Sequence, residues 1–190
     1  MKSLPNVLTP EEQRKLLGIF NLRYRNGRKN RLIVEIMLTV GLRVSEACNL
    51  KWNDIQPKIG TLTVRSGKCG KDRVLFLPPS LIDRLNQYKK ENPSTSVSSF
   101  VFATRTGKPS DRSTLTKMVS TYAKKAEITE KRVYSHLLRH TALTDLYRET
   151  RDIRKVQTIA GHSSIQTTQI YTHIAPEEIR QTLTREKYGV

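Results

Sequence analysis

Two alternating runs limit what this chain can fold into more than any other feature. Thr61-Leu62-Thr63-Val64-Arg65 and Arg73-Val74-Leu75-Phe76-Leu77 change side-chain character with a period near two. That period suits a strand with one buried face. Between them lies Ser66-Gly67-Lys68-Cys69-Gly70-Lys71-Asp72, rich in glycine and lysine, which reads as a turn. The pair predicts an antiparallel hairpin closed by Pro78-Pro79.

Elsewhere the period is close to 3.6. Thr9-Pro10-Glu11-Glu12 is a capping box with proline at the first helical position, ahead of Leu16, Leu17 and Phe20. Asn26 to Asn30 reads as a basic loop, and Leu32 to Val40 as a buried helix stopped by Gly41. Ser45 is placed to cap a short helix through Leu50. Leu81, Ile82, Leu85 and Tyr88 mark a further helix, and Asn92 to Ser99 a serine-rich loop. Phe100 to Phe102 is a short apolar segment, followed by a turn at Thr106 to Pro109. Three more stripes follow: Leu115, Met118, Val119 and Tyr122; Leu138, Ala142 and Leu146, capped by Ser135; and Ile153, Val156 and Ile159, stopped by Gly161. Ser163-Ser164 opens a short helix toward Tyr171, and Pro176 opens a last amphipathic one with Ile179 and Leu183. The expected fold is α+β, mainly helical with one small antiparallel sheet, in a single domain over residues 1–190.

Charge narrows the partners. The 190 residues hold 34 Lys+Arg against 17 Asp+Glu, a formal net charge of +17. Such an excess points to polyanions: DNA, RNA or an anionic membrane. No apolar run approaches the ~18 residues of a membrane span. The basic residues do not gather on one amphipathic helix, and the N-terminus has no apolar signal-peptide core. No membrane partner is expected, and the location is expected to be cytoplasmic, associated with the nucleoid or, for a mobile element, in the host cytoplasm. Cys48 and Cys69 lack a C-x-x-C spacing and read as free thiols.

Cutting a nucleic-acid strand without metal requires a nucleophile, cations around the phosphate oxygens, and a donor for the leaving oxygen. His136 and Arg139 stand at i, i+3, which puts both on one helix face. Arg139 is able to fork on two phosphate oxygens. His136 and His140 lie four apart, but Leu137 stands where H-E-x-x-H needs Glu, so no metal site is expected. Tyr88 and Tyr122 sit on apolar stripes and read as core.

The run from Gly161 to His173 is the most informative in the chain. It places Tyr171 nine positions after His162, and it resembles the nucleophile segment of the tyrosine recombinases, the phage integrase family. Gly41-Leu42-Arg43-Val44-Ser45-Glu46 is similar to that family's first arginine box, Ser66 to Lys71 to its lysine hairpin, and Ser135 to Thr141 to its second arginine box. The boxes occur in family order from Leu8 to about Ala175, and are most similar to the Xer-like branch.

The resemblance implies a tyrosine-recombinase catalytic domain and roles for single residues. Tyr171 is the implied nucleophile, forming a 3′-phosphotyrosine and a free 5′-hydroxyl. Arg43 and Arg139 are implied to hold the non-bridging oxygens, Lys68 to protonate the leaving oxygen, His136 to contact the phosphate or take the tyrosine's proton, and His162 to hydrogen-bond the phosphate. Glu46 is an implied support residue. Lys71, Arg73, Arg28 and Lys29 are expected DNA contacts, with Lys71 the rival of Lys68 for the acid's role. No cofactor, metal or ATP is implied. The implied partner is double-stranded DNA, bound by a homo-oligomer, a tetramer, through the C-terminal helix. Residues 176–190 either dock on a neighbouring protomer or pack on their own core. The family's N-terminal clamp domain is expected to be absent, since only eight residues precede Thr9. The rivals are a type IB topoisomerase, a regulator that binds DNA without cutting it, and an RNA-binding protein, which would need stacking motifs not found in this sequence.

Overall fold

The first helix, α1 (Pro10–Gly18), starts at the capping box. The Thr9 hydroxyl accepts from the Glu12 backbone N–H at 3.2 Å, and the Glu12 carboxylate accepts from the Thr9 N–H at 2.7 Å. The computed structural model describes residues 7–65, 72–92 and 100–161. Leu16 and Leu17 are buried, and Phe20, just past the helix, stacks on Tyr122 with ring centroids 4.2 Å apart.

The second helix, α2 (Arg25–Val40), is longer than its apolar pattern. Asn26 to Asn30, expected as a loop, forms its opening turns. Tertiary contacts account for the difference. A Cβ on Gly27 would stand 1.9 Å from the Asn21 carbonyl oxygen, so glycine alone permits this backbone approach. Arg28 donates to the Leu22 carbonyl at 2.7 Å and pairs with Glu91 at 2.8 Å. At the other end Gly41 takes the left-handed conformation (φ 66°) and its N–H closes on the Met37 carbonyl at 3.0 Å. From Leu32 to Val40 every residue of α2 is buried, so it forms the central rod of the core.

Helix α3 (Val44–Asn49) begins two residues earlier than a Ser45 cap would place it, with Arg43 at the cap position. Its first N–H groups are served instead by Glu46, which accepts from the Arg43 backbone N–H at 2.7 Å. Strands β1 (Ile55–Gln56), β2 (Thr61–Val64) and β3 (Arg73–Phe76) form an antiparallel sheet in that order. The expected hairpin is present, paired from Thr61↔Phe76 to Val64↔Arg73. Two-residue β1 is too short to show a period in the sequence.

Helices α4 (Pro79–Glu91), α5 (Arg112–Lys125), α6 (Ser135–Thr150) and α7 (Ile153–Ala160) complete the described chain. Asp111 caps α5 and Asp152 caps α7 through their carboxylates. Ser135 does not cap α6. Tyr134 holds that position, and the buried Ser135 hydroxyl shares a hydrogen bond with Thr116 at 2.9 Å. Leu138, Ala142 and Leu146 are buried, with α6 packed on α2. Tyr88 is buried, and Tyr122 is half-buried against the core. The segment at Phe100 bridges Lys51, and Val101 donates to the Leu50 carbonyl at 2.8 Å. The chain thus has the α+β fold expected, helical with one small sheet. The expected helices from Ser163 and Pro176 and most of the loop at Asn92 to Ser99 lie outside the described residues. Among the described residues, no helix is long and apolar enough to cross a membrane.

Candidate active site

Three arginines from three elements converge on one carboxylate. Glu46, in the first turn of α3, is mostly buried. Its Oε1 accepts from Arg43 Nη1 at 2.9 Å and from Arg73 Nη1 at 3.0 Å. Its Oε2 accepts from the Arg43 backbone N–H and from Arg73 Nη2 at 2.8 Å. Arg139, reaching in from α6, brings Nη1 to 4.0 Å from the same oxygen. Three cations around one anion leave an excess of two positive charges, which is the electrostatic form of an anion site.

Backbone carbonyls position the guanidinium groups. Arg139 donates to the Gly41 carbonyl at 2.6 Å and the Ala160 carbonyl at 2.7 Å. Arg73 Nε donates to the Ile159 carbonyl at 2.8 Å, and Arg43 Nη2 to the Gly161 carbonyl at 3.3 Å. These oxygens belong to the ends of α2 and α7, where helices leave carbonyls unpaired and the dipole favours cations. Gly41 and Gly161 therefore stop two helices and aim their last carbonyls at the same arginines. The sequence marks the stops but not this use of them.

The charges act on one another. Burial lowers the Arg139 guanidinium to about 10, with Arg43 adding to the effect, so it is still charged at neutral pH. Burial alone would raise the Glu46 carboxyl, but Arg73 and Arg43 hold it below the usual 4.5. His136, exposed on α6, lies below its ordinary 6.5, first through burial, then through His140, Arg139 and Arg43. It stands neutral at pH 7 and able to accept a proton. The His140 ring packs edge-on against it, with centroids 4.5 Å apart. Burial pushes the Cys48 thiol up to about 11, which removes it as a nucleophile at neutral pH. Among the described residues, no group of three or more His, Cys, Asp or Glu is placed to hold a metal ion.

Of the expected site residues, Arg43, Glu46, Arg139 and His136 come together here. Arg73 joins them in a different role. Expected as a DNA contact, its side chain is only 8% exposed and forks on Glu46. The reason is strand alternation: Val74 faces solvent, so Arg73 and Leu75 face inward, and an inward arginine needs an acid. The Arg28 guanidinium donates to the Leu22 carbonyl and pairs with Glu91. Arg28 and Lys29 lie at the opposite end of α2 from Gly41, about 20 Å away at 1.5 Å per residue. Lys68, Lys71, His162 and Tyr171 lie outside the described residues.

A Glu46→Gln variant separates charge from shape. A carboxyl held below 4.5 contributes stability above that pH and loses it as the pH falls through its folded value. The variant is expected to be about 2 kcal/mol less stable at neutral pH. The gap should close on acidification below the ordinary Glu range, as read by thermal unfolding across pH.

Clustered arginines around one carboxylate, between a helical body and a small sheet, give this domain a cationic centre. The chain belongs to the phage integrase family, whose model matches residues 6–178. It is 37% identical over 185 residues to tyrosine recombinase XerA of Pyrococcus furiosus, covering 97% of this chain and 63% of that protein. The crystal structure of a XerA recombinase matches with a TM-score of 0.76 at 33% identity, over 97% of this chain and 66% of that one. XerH site-specific recombinase bound to its difH substrate matches with a TM-score of 0.74 at 29% identity, over 92% of this chain and 52% of that one. The chain therefore spans just under two thirds of the length of its curated XerA relative.

Proposed function

We propose that this chain is the strand-cutting part of a site-specific tyrosine recombinase acting on double-stranded DNA. The arginine centre carries the reading: Arg43 and Arg139, held by Glu46 and three backbone carbonyls, form a rigid cationic pocket for one phosphate. In this reading Tyr171 attacks the phosphorus and the 5′-oxygen leaves, which gives a 3′-phosphotyrosine and a free 5′-hydroxyl. Lys68 gives the leaving oxygen its proton, and neutral His136 takes the proton from Tyr171. His162 adds a hydrogen bond to the phosphate. A tyrosine of ordinary pKa about 10 is a weak nucleophile, so the fixed charge at the phosphate supplies much of the rate. The bond to tyrosine keeps the energy of the phosphodiester, and the reverse attack by a 5′-hydroxyl rejoins a strand without ATP.

The same reading assigns Lys71 and Lys29 to the DNA backbone, with affinity falling with salt at a slope of about −0.9 per phosphate contact. It assigns a tetramer as the assembly on DNA and residues 176–190 as the element that docks between protomers. These assignments are supported by the resemblance of the boxes and by the net charge of +17.

The test is covalent capture. The protein is mixed with supercoiled plasmid and with nicked duplexes in EDTA, then denatured in SDS. A DNA–protein adduct that disappears in Tyr171→Phe is the expected result. No adduct on either substrate, together with salt-sensitive DNA binding, would replace the recombinase by a binding-only regulator.

A further inference from the structure

Arg73 begins β3, directly after the segment that carries Lys68 and Lys71. Its guanidinium makes two parallel bonds to Glu46, at 3.0 and 2.8 Å, and a third to the Ile159 carbonyl at 2.8 Å. A Cβ on Gly161 would meet Arg73 Nη1 at 3.0 Å and Cδ at 3.1 Å, so this side chain also lies against the left-handed stop of α7. One residue thereby touches the root of the lysine segment, the carboxylate that holds Arg43, and the helix end from which the chain runs on to His162. A lysine here would keep the charge but could not make the fork and the third bond together.

We propose that Arg73 is a positioning residue of the cleavage reaction: it locks the strand that follows Lys68 and the end of α7 to Glu46, and so holds Arg43 in place. The inference rests on the recombinase reading of Lys68 and Tyr171. Glu46 faces Arg43 from its own segment, Arg73 from β3 and Arg139 from α6. Without Arg73 the buried carboxyl keeps fewer cations and takes up a proton at higher pH. Arg43 then loses its anchor on acidification. Loss of a merely structural residue would lower the rate equally at every pH.

The experiment measures single-turnover cleavage of a nicked duplex between about pH 5 and 9, with duplex affinity measured alongside. Wild type, Arg73→Gln and Arg73→Lys are compared. Arg73→Gln is expected to cleave roughly 10²-fold more slowly at neutral pH, the scale of a small misplacement of reacting groups. Its acid limb is expected to move upward with duplex affinity unchanged, and Arg73→Lys is expected to lie between. A wild-type rate and pH profile in both variants would overturn the proposal. Weaker duplex binding at an unchanged rate would do so too, by making Arg73 a phosphate contact. If Arg73→Gln does not fold, Arg73→Lys decides alone by the same criteria. If the wild-type chain itself makes no adduct, the recombinase reading fails separately. The carboxyl titration of Glu46, followed by NMR without DNA, then judges Arg73: a midpoint in Arg73→Lys equal to wild type sinks the link.

Discussion

Arg139→Ala is expected to stop covalent capture of DNA while leaving DNA binding in place. Two effects combine. Removal of one fixed donor at a developing charge costs about 10²–10³ in rate, and a guanidinium that also organises its neighbours lies at the upper end. Arg139 is 3% exposed, and its loss leaves the Gly41 and Ala160 carbonyls without their donor. Each such unpaired buried oxygen costs about 1–3 kcal/mol. Relief of repulsion from Arg43 and Arg73 acts the other way, but Glu46 at 4.0 Å already offsets much of it. A net destabilisation of about 2 kcal/mol is expected in urea unfolding. Arg139→Lys restores the charge but not the bridge between two helix ends, so it should recover stability more than rate. Capture at the wild-type rate in Arg139→Ala would remove Arg139 from the reaction.

Glu35→Ala is expected to be the more damaging change to the fold, at about 4 kcal/mol. Glu35 lies within the buried stretch of α2 and is 1% exposed. Arg84 of α4 donates to both its oxygens, through Nε at 3.2 Å and through Nη2, and Arg31 adds a bond at 3.2 Å. Truncation leaves two arginines beside an apolar core with no counter-charge. For a chain of this size the loss corresponds to about 10 °C in Tm. The double change Glu35→Met with Arg84→Met removes the acid and its closer partner and should regain part of that loss, with Arg31 left unpaired, because well-packed apolar groups replace a buried ion pair at little cost. Cleavage per folded molecule should stay unchanged, since Glu35 touches no residue of the arginine centre. A loss under about 1 kcal/mol in the single variant would show that the pair is no stronger than an exposed one.

Several local signals are legible in the sequence, although the caps expected at Ser45 and Ser135 fall on Arg43 and Tyr134. The capping box at Thr9 and Glu12, the hairpin strands and the left-handed stops at Gly41 and Gly161 each depend on residues within a few positions of one another. The start of α2 was not legible, because Gly27 and Arg28 find their partners in the preceding loop and in α4. β1 was too short to carry a pattern.

The candidate centre divides along the same line. Sequence alone marked Arg43, Glu46, His136 and Arg139, because their boxes resemble those of one family in order. It also determined the helical stripes, the small sheet and the positive excess, all of which follow from residue type and spacing. Only the tertiary structure decided that Arg73 turns inward to Glu46, that Arg28 pairs with Glu91 of α4, and that the ends of α2 and α7 hold the arginines. Those outcomes join residues as far apart as 41 and 139, or 73 and 159. An arginine's sequence neighbours do not say which buried oxygens it will meet. Burial settles it, because a desolvated guanidinium must find acceptors wherever packing brings them.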